Sequence, residues 1–262
     1  MPLGPNGLPL AAPNDYLVHV NDPSSTIHLN KKKKPEEPVD RRVVIALPGS
    51  SFSIDFLLNM VETVSLLRKN RVEVALASGE SSFVPFARMK TLGLSVLNGE
   101  DQKPFNGQYK YDVWITIDSD IRFTPQQVFE LIESTDTHHV VAGAYRMKDL
   151  INSTAIKKWD TDYYLKNGTF KFIPMDELKY EAKYTPVEYS GMGFFACRYG
   201  VIEKMKYPYF HHPIVEMKDD NGKIIREMCS EDVAFCKNIK NAGFNIMLKT
   251  TLIVGHEKTL VI

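Results

Sequence analysis

Asp112 to Leu131 reads DVWITIDSDIRFTPQQVFEL. Val113 to Ile117 is an unbroken β-prone run, which predicts a buried strand. Thr124-Pro125 supplies an N-cap and a proline at the first helical position, which predicts a helix through Ile132. Between them lies Asp118-Ser119-Asp120. Side chains alternate along a strand, so the two carboxylates share one side unless the chain turns at once. Two acids at a strand mouth repel each other. A hard divalent cation such as Mn²⁺ or Mg²⁺ relieves this and accepts phosphate oxygens as further ligands. The plainer alternative is a strand end with aspartate as turn former and helix cap.

Outward from this stretch the pattern alternates strand and helix. Val43 to Leu47 is an apolar strand ending at Pro48-Gly49-Ser50, and Val72 to Ala77 is a second ending at Ser78-Gly79. Between them, Ile54 to Lys69 carries Phe56, Leu57, Met60, Val61, Val64 and Leu67 at helical spacing. Phe83 to Leu94 predicts another helix and Val140 to Tyr145 a further strand. This order implies an α/β fold with a mostly parallel central sheet flanked by helices. Ligands of such sheets sit at the carboxyl ends of the strands. That makes Pro48, Gly49, Ser50, Ser78, Asp118 and Ser119 candidate cofactor-binding residues. Lys148 to Thr185 is aromatic, charged and less periodic, and predicts short antiparallel strands and loops. Trp159, Tyr163 and Tyr164 read equally as rings that stack on a ligand or as core.

Residues 1–40 read as an N-terminal extension ahead of a domain spanning 41–262. Tyr16 to Val20 and Thr26 to Asn30 predict a hairpin turning at Asn21-Asp22-Pro23-Ser24. Lys31 to Lys34, followed by Pro35-Glu36-Glu37-Pro38, reads as a solvated linker.

Composition narrows the function. Lys+Arg and Asp+Glu each total 32 in 262 residues, so no net charge draws the chain onto nucleic acid. The three cysteines form no CxxC pair, and no basic stretch followed by an apolar one opens the chain. No apolar run approaches the roughly 20 residues that span a bilayer. The expectation is a soluble cytoplasmic protein with reduced thiols and no membrane span.

Asp112 to Leu131 resembles the nucleotide-sugar core of the GT-A glycosyltransferases, and other motifs follow in family order. Phe86-Ala87-Arg88 is similar to an Ala-Arg-Asn helix whose arginine approaches the nucleotide, with Met89 here in place of the asparagine. Glu188-Tyr189-Ser190-Gly191-Met192-Gly193-Phe194-Phe195 looks like the Gly-rich acceptor-side segment. Ser230-Glu231-Asp232 looks like the acidic motif on a helix, and Val254-Gly255-His256-Glu257 like the late histidine. The nearest style is that of small glycosyltransferases of large DNA viruses and bacteria.

The resemblance implies a GT-A-like fold and a metal-dependent transfer of sugar from a nucleotide-sugar donor to a glycan or glycoprotein hydroxyl. A UDP-linked hexose or xylose is the expected donor. It also implies Mn²⁺ (or Mg²⁺) held by Asp118, Asp120 and His256. Asp120 with His256 would be the direct pair, and Asp118 would face the ribose or a metal-bound water. Arg88, Gly191, Met192 and Gly193 would line the donor site. Asp232 would be the base of an inverting transfer, and Glu231 would orient hydroxyls.

From the residues alone, Ser230-Glu231-Asp232 also reads as an N-cap with acids complementing the helix dipole. His211-His212, flanked by Pro208 and Pro213, reads as a loop near the acceptor, and His138-His139 as surface. A phosphotransferase with DxD after its first strand fits poorly, because here the motif follows the third. A nucleotidyltransferase would need a basic, Gly-rich loop where Leu47-Pro48-Gly49-Ser50-Ser51 has neither lysine nor arginine. A non-catalytic sugar- or nucleotide-binding module is the rival from another class.

Overall fold

The computed structural model describes residues 17–19, 39–219 and 221–258. Eight strands form the central sheet: β1 (Leu17–His19), β2 (Arg41–Pro48), β3 (Val72–Gly79), β4 (Val113–Ile117), β5 (Val140–Ala144), β6 (Tyr184–Val187), β7 (Phe194–Arg198) and β8 (Ile246–Ile253). Their spatial order is β1-β3-β2-β4-β7-β5-β8-β6. β3, β2, β4, β5 and β8 share one direction, and β1, β6 and β7 run against it. The expected α/β architecture, mostly parallel and flanked by helices, is present.

Alternation along each strand builds two cores, one on each face. Val43 and Ile45 pack with Phe56, Met60, Val64 and Leu67 of α1 (Ile54–Lys69) and with Val128, Leu131 and Ile132 of α3 (Pro125–Ser134). Val44 and Ala46 point the other way, into the core that holds Phe235, Cys236 and Ile239 of α5 (Glu231–Asn241). Both sides of these strands are covered, so they read as unbroken apolar runs. The caps follow the sequence: Ser53 accepts from Phe56 N–H, and Thr124 and Gln127 complete a capping box. Leu57 and Val61 of α1 are 48% and 69% exposed, because they lie to one side of the stripe that meets the sheet.

Of the stretch expected to form a hairpin near the N-terminus, only Leu17–His19 is among the described residues. Leu17–His19 pairs antiparallel with the edge of β3, from Leu17 opposite Ala77 to His19 opposite Ala75. Thr26 to Asn30 lies outside the described residues. The aromatic middle contains a short antiparallel strand, Ala155–Ile156, as expected, whose partner Tyr189–Ser190 belongs to the Gly-rich segment. It also contains a helix that was not expected, α4 (Thr161–Asn167). Asp160 caps its start by accepting from Tyr163 N–H, and Gly168 ends it at φ 67°. Among the described residues no helix is long and apolar enough to cross a membrane.

Candidate active site

The carboxyl ends of β2, β3, β4, β5 and β8 lie along one edge of the sheet. Antiparallel β7, wedged between β4 and β5, brings its amino end to the same edge. Asp118 N–H therefore donates to Gly193 C=O at 2.9 Å, which joins the end of β4 to the Gly-rich segment. Pro48, Gly49 and Ser50 close β2 beside this point. A Cβ on Gly49 would lie 3.2 Å from Ser119 Oγ. Ser78, opposite Leu47 near the end of the pairing between β2 and β3, is exposed like Ser50.

The chain turns immediately after β4, since Ile121 N–H donates to Asp118 C=O at 3.0 Å. The two aspartates of the DxD motif consequently take different partners. Asp118 turns to Arg88 on α2 (Val84–Thr91), whose Nη1 and Nη2 donate to its two carboxylate oxygens at 3.0 and 3.1 Å. The same guanidinium donates through Nε to Glu231 Oε1 at 3.2 Å, and its Nη2 lies 3.4 Å from Asp232 Oδ1. Arg88 itself is buried, at 4% exposure. Four residues spread from position 88 to 232 thus form one cluster. It has three carboxyl groups around one cation.

Asp232 is the unusual member. Its Oδ2 accepts from Met192 N–H at 3.2 Å, while Oδ1 is buried and has no hydrogen-bond partner. Burial pushes its carboxyl up, Arg88 pulls it back, and Glu231 and Asp118 push it up again, to about 7. It exchanges its proton in the pH range where a general base is most useful. Ser230 stands at the N-cap position of α5 without making the side-chain cap bond.

Asp120 turns to the C-terminal end of the chain. A two-residue antiparallel pairing sets His256 opposite Ile121 and Gly255 opposite Arg122. His256 Nε2 then lies 3.1 Å from Asp120 Oδ2, and Lys258 Nζ lies 2.5 Å from the same oxygen. His256 Nδ1 sits 2.7 Å from Arg146 C=O, so that nitrogen carries the proton and donates it. Partial burial raises the Asp120 carboxyl, but the bonds from His256 and Lys258 outweigh it and hold the group at about 2. The bond to Asp120 in turn raises His256 above its ordinary value.

The expected metal set of Asp118, Asp120 and His256 is therefore split: Asp120 and His256 meet, and Asp118 is taken by Arg88. Among the described residues no group of three or more His, Cys, Asp or Glu side chains gathers as a metal site. Of the remaining histidines, His212 packs on Phe83 at 5.3 Å, and His138 on Tyr184 at 4.4 Å.

Tyr145 was not anticipated. It follows β5 at the same edge, is 5% exposed, and accepts from Gly193 N–H at 2.9 Å. It also explains both glycines. A Cβ on Gly191 would lie 2.4 Å from Tyr145 Oη, and one on Gly193 would lie 2.8 Å from it. The glycines admit a tyrosine ring from the chain itself, where the sequence suggested a ligand. Gly191→Ala is expected to lose about 1–3 kcal/mol from overpacking. Adding Tyr145→Phe should return part of that loss by removing the clashing oxygen. Urea melts of the two single variants and the double variant measure this; purely additive losses would show that Tyr145 is not the obstruction.

No family model and no curated protein matches the chain. Solved structures do. A197 from STIV is 17% identical with a TM-score of 0.44, over 84% of this chain and 96% of that one. GalNAc-T7, solved with UDP, GalNAc and Mn²⁺, is 12% identical with a TM-score of 0.39, over 84% of this chain and 43% of that one. A mycobacterial protein is 13% identical with a TM-score of 0.39, over 85% and 69%.

Proposed function

We propose that this chain is a metal-dependent glycosyltransferase of GT-A type. The observation that carries the reading is the cluster of Arg88, Asp118, Glu231 and Asp232 at the carboxyl edge of the sheet, beside the Asp120–His256 pair. One carboxyl in that cluster is held near neutrality with an unbonded oxygen, as a general base requires.

The donor set fits a divalent cation that takes its other ligands from a diphosphate. His256 is fixed through Nδ1 on a backbone carbonyl, which leaves Nε2 aimed at the Asp120 carboxylate. One imidazole and one carboxylate suit Mn²⁺ well. Lys258 holds a positive charge at the same oxygen and would have to give way to a bound cation. Bound there, the cation would neutralise charge on the departing nucleoside diphosphate.

The protein's own residues supply the rest. The Asp232 carboxylate takes the proton of an acceptor hydroxyl as that hydroxyl's oxygen bonds to the anomeric carbon. The bond from that carbon to the diphosphate breaks, and its electron pair leaves with the nucleotide. The outcome is inversion at that carbon. Arg88 holds Asp118 and Asp232 in register and keeps their combined charge tolerable. Glu231, bonded to Arg88 Nε, has its other oxygen for orienting a hydroxyl. The donor is a nucleotide sugar, UDP-linked in this proposal, and the acceptor is a glycan or glycoprotein hydroxyl.

Calorimetry with UDP and with GDP, each with and without Mn²⁺, tests the reading. UDP should bind in a Mn²⁺-dependent manner, and Asp120→Ala should remove that dependence. If neither nucleotide binds under any condition, the proposal fails.

A further inference from the structure

A cavity of about 290 Å³ lies between α4, α5 and an exposed hairpin of two strands, Ile214–Lys218 and Ile224–Met228. Its walls include Trp159, Asp160, Phe170, Glu216, Lys218 and Lys237. Trp159 is half-buried, with Phe170 edge-on at 5.2 Å and Lys237 Nζ above the indole at 5.3 Å. The hairpin is tied to α4 by Tyr164, whose hydroxyl donates to Glu227 Oε2 at 2.8 Å. The half-buried aromatic cluster thus forms one wall of an open site.

Tyr189 packs behind the Trp159 wall of this cavity. That ring lies 6.3 Å from Trp159, and burial, then the charge of Asp232, push its phenol up. We propose that this cavity binds one or two rings of a neutral saccharide. The inference rests on the transferase reading for its role, though not for its chemistry.

Three features select the ligand class. An indole and a phenyl ring give apolar surface that matches the C–H face of a pyranose, and the indole face attracts groups of positive edge. Two carboxylates and two ammonium groups supply acceptors and donors for several hydroxyls, and their charges sum to zero. A strongly anionic ligand would meet Asp160 and Glu216, and a cationic one would meet Lys218 and Lys237. The volume lies at the small end of the roughly 300–1,000 Å³ of ligand pockets, which suits a short saccharide better than a long one.

The chain has two tryptophans, and Trp114 is 1% exposed in the core, so a fluorescence change on ligand addition reports Trp159. Lactose, maltose and cellobiose, each titrated into the full chain at millimolar concentrations, are the probes. At least one should quench saturably, and Lys237→Ala and Glu216→Gln, both at partly or fully exposed positions, should each weaken it about tenfold. Trp159→Ala should abolish the heat of binding in calorimetry with the same sugar while leaving the thermal melt two-state. Failure of all three sugars to quench, unchanged affinity in Lys237→Ala and Glu216→Gln, or quenching by UDP in place of the sugars overturns the inference. If UDP binds with Mn²⁺ and no sugar does, the subsite falls and the transferase reading stands. If a sugar binds and no nucleotide does, the transferase reading falls and the subsite stands.

Discussion

Replacing Arg88 with methionine is expected to cost about 3–5 kcal/mol of folding stability, the penalty for stripping one partner from a buried ion pair. The variant leaves Asp118, Glu231 and Asp232 facing one another with side chains only 28%, 10% and 16% exposed. Methionine fills the volume, so the loss reports charge and not a cavity. The attraction that lowers the Asp232 carboxyl disappears with the guanidinium, so that group is pushed further up and stays protonated. Arg88→Lys should recover little. One ammonium cannot reproduce the paired bonds to Asp118 and the third bond to Glu231. Urea melts of both variants at neutral and acidic pH check this. The deficit should shrink in acid, where the three carboxyls are neutral in both states. A loss under about 1 kcal/mol at neutral pH would show that the cluster is solvated and not a buried network.

Asp232→Asn should lower turnover about 10²–10⁴-fold, the usual contribution of a general base, and leave Mn²⁺-dependent nucleotide binding unchanged. Asparagine can still accept from Met192 N–H through its amide oxygen, so the local backbone keeps its partner. It cannot take a proton. In the native chain, turnover should fall as the pH drops below about 7, where Asp232 becomes protonated. Stability moves the opposite way. Asp232 holds its proton in the folded chain up to about 7, against the ordinary 3.8, so the folded state binds more protons between those values. Its contribution is complete below the unfolded pKa and is lost as the pH rises through the folded one. The asparagine variant escapes this loss. Its stability relative to the native chain should increase from about pH 5 to about pH 8, as read from urea midpoints. Normal turnover in this variant would remove Asp232 from the role of base.

Much of the fold was legible because its signals are local. Val113 to Ile117, Ile54 to Lys69 and the Thr124-Pro125 helix start appear in the structure as read, since run length, periodicity and capping depend on neighbouring residues. Helix α4 had equally local markers in Asp160 and Gly168, but they lay inside an aromatic stretch without apolar periodicity. The insertion of antiparallel β7 between β4 and β5 had no such marker, because strand order is settled by long-range packing.

The candidate site divides in the same way. The sequence alone determined which residue types stand at the strand ends: the acidic pair after Ile117, the glycines before Phe194, the acids opening α5 and the late histidine. Tertiary structure alone decided how they combine. A turn at Asp118 sends one aspartate to Arg88 and the other to His256 and Lys258, so adjacent acids serve two separate groups. The glycines answer to Tyr145, a residue some fifty positions away that the sheet brings to the same edge. Asp232 became a carboxyl near neutrality only by being buried against Arg88, Glu231 and Asp118. Burial and charge are sums over spatial neighbours, and a one-dimensional pattern does not contain that sum.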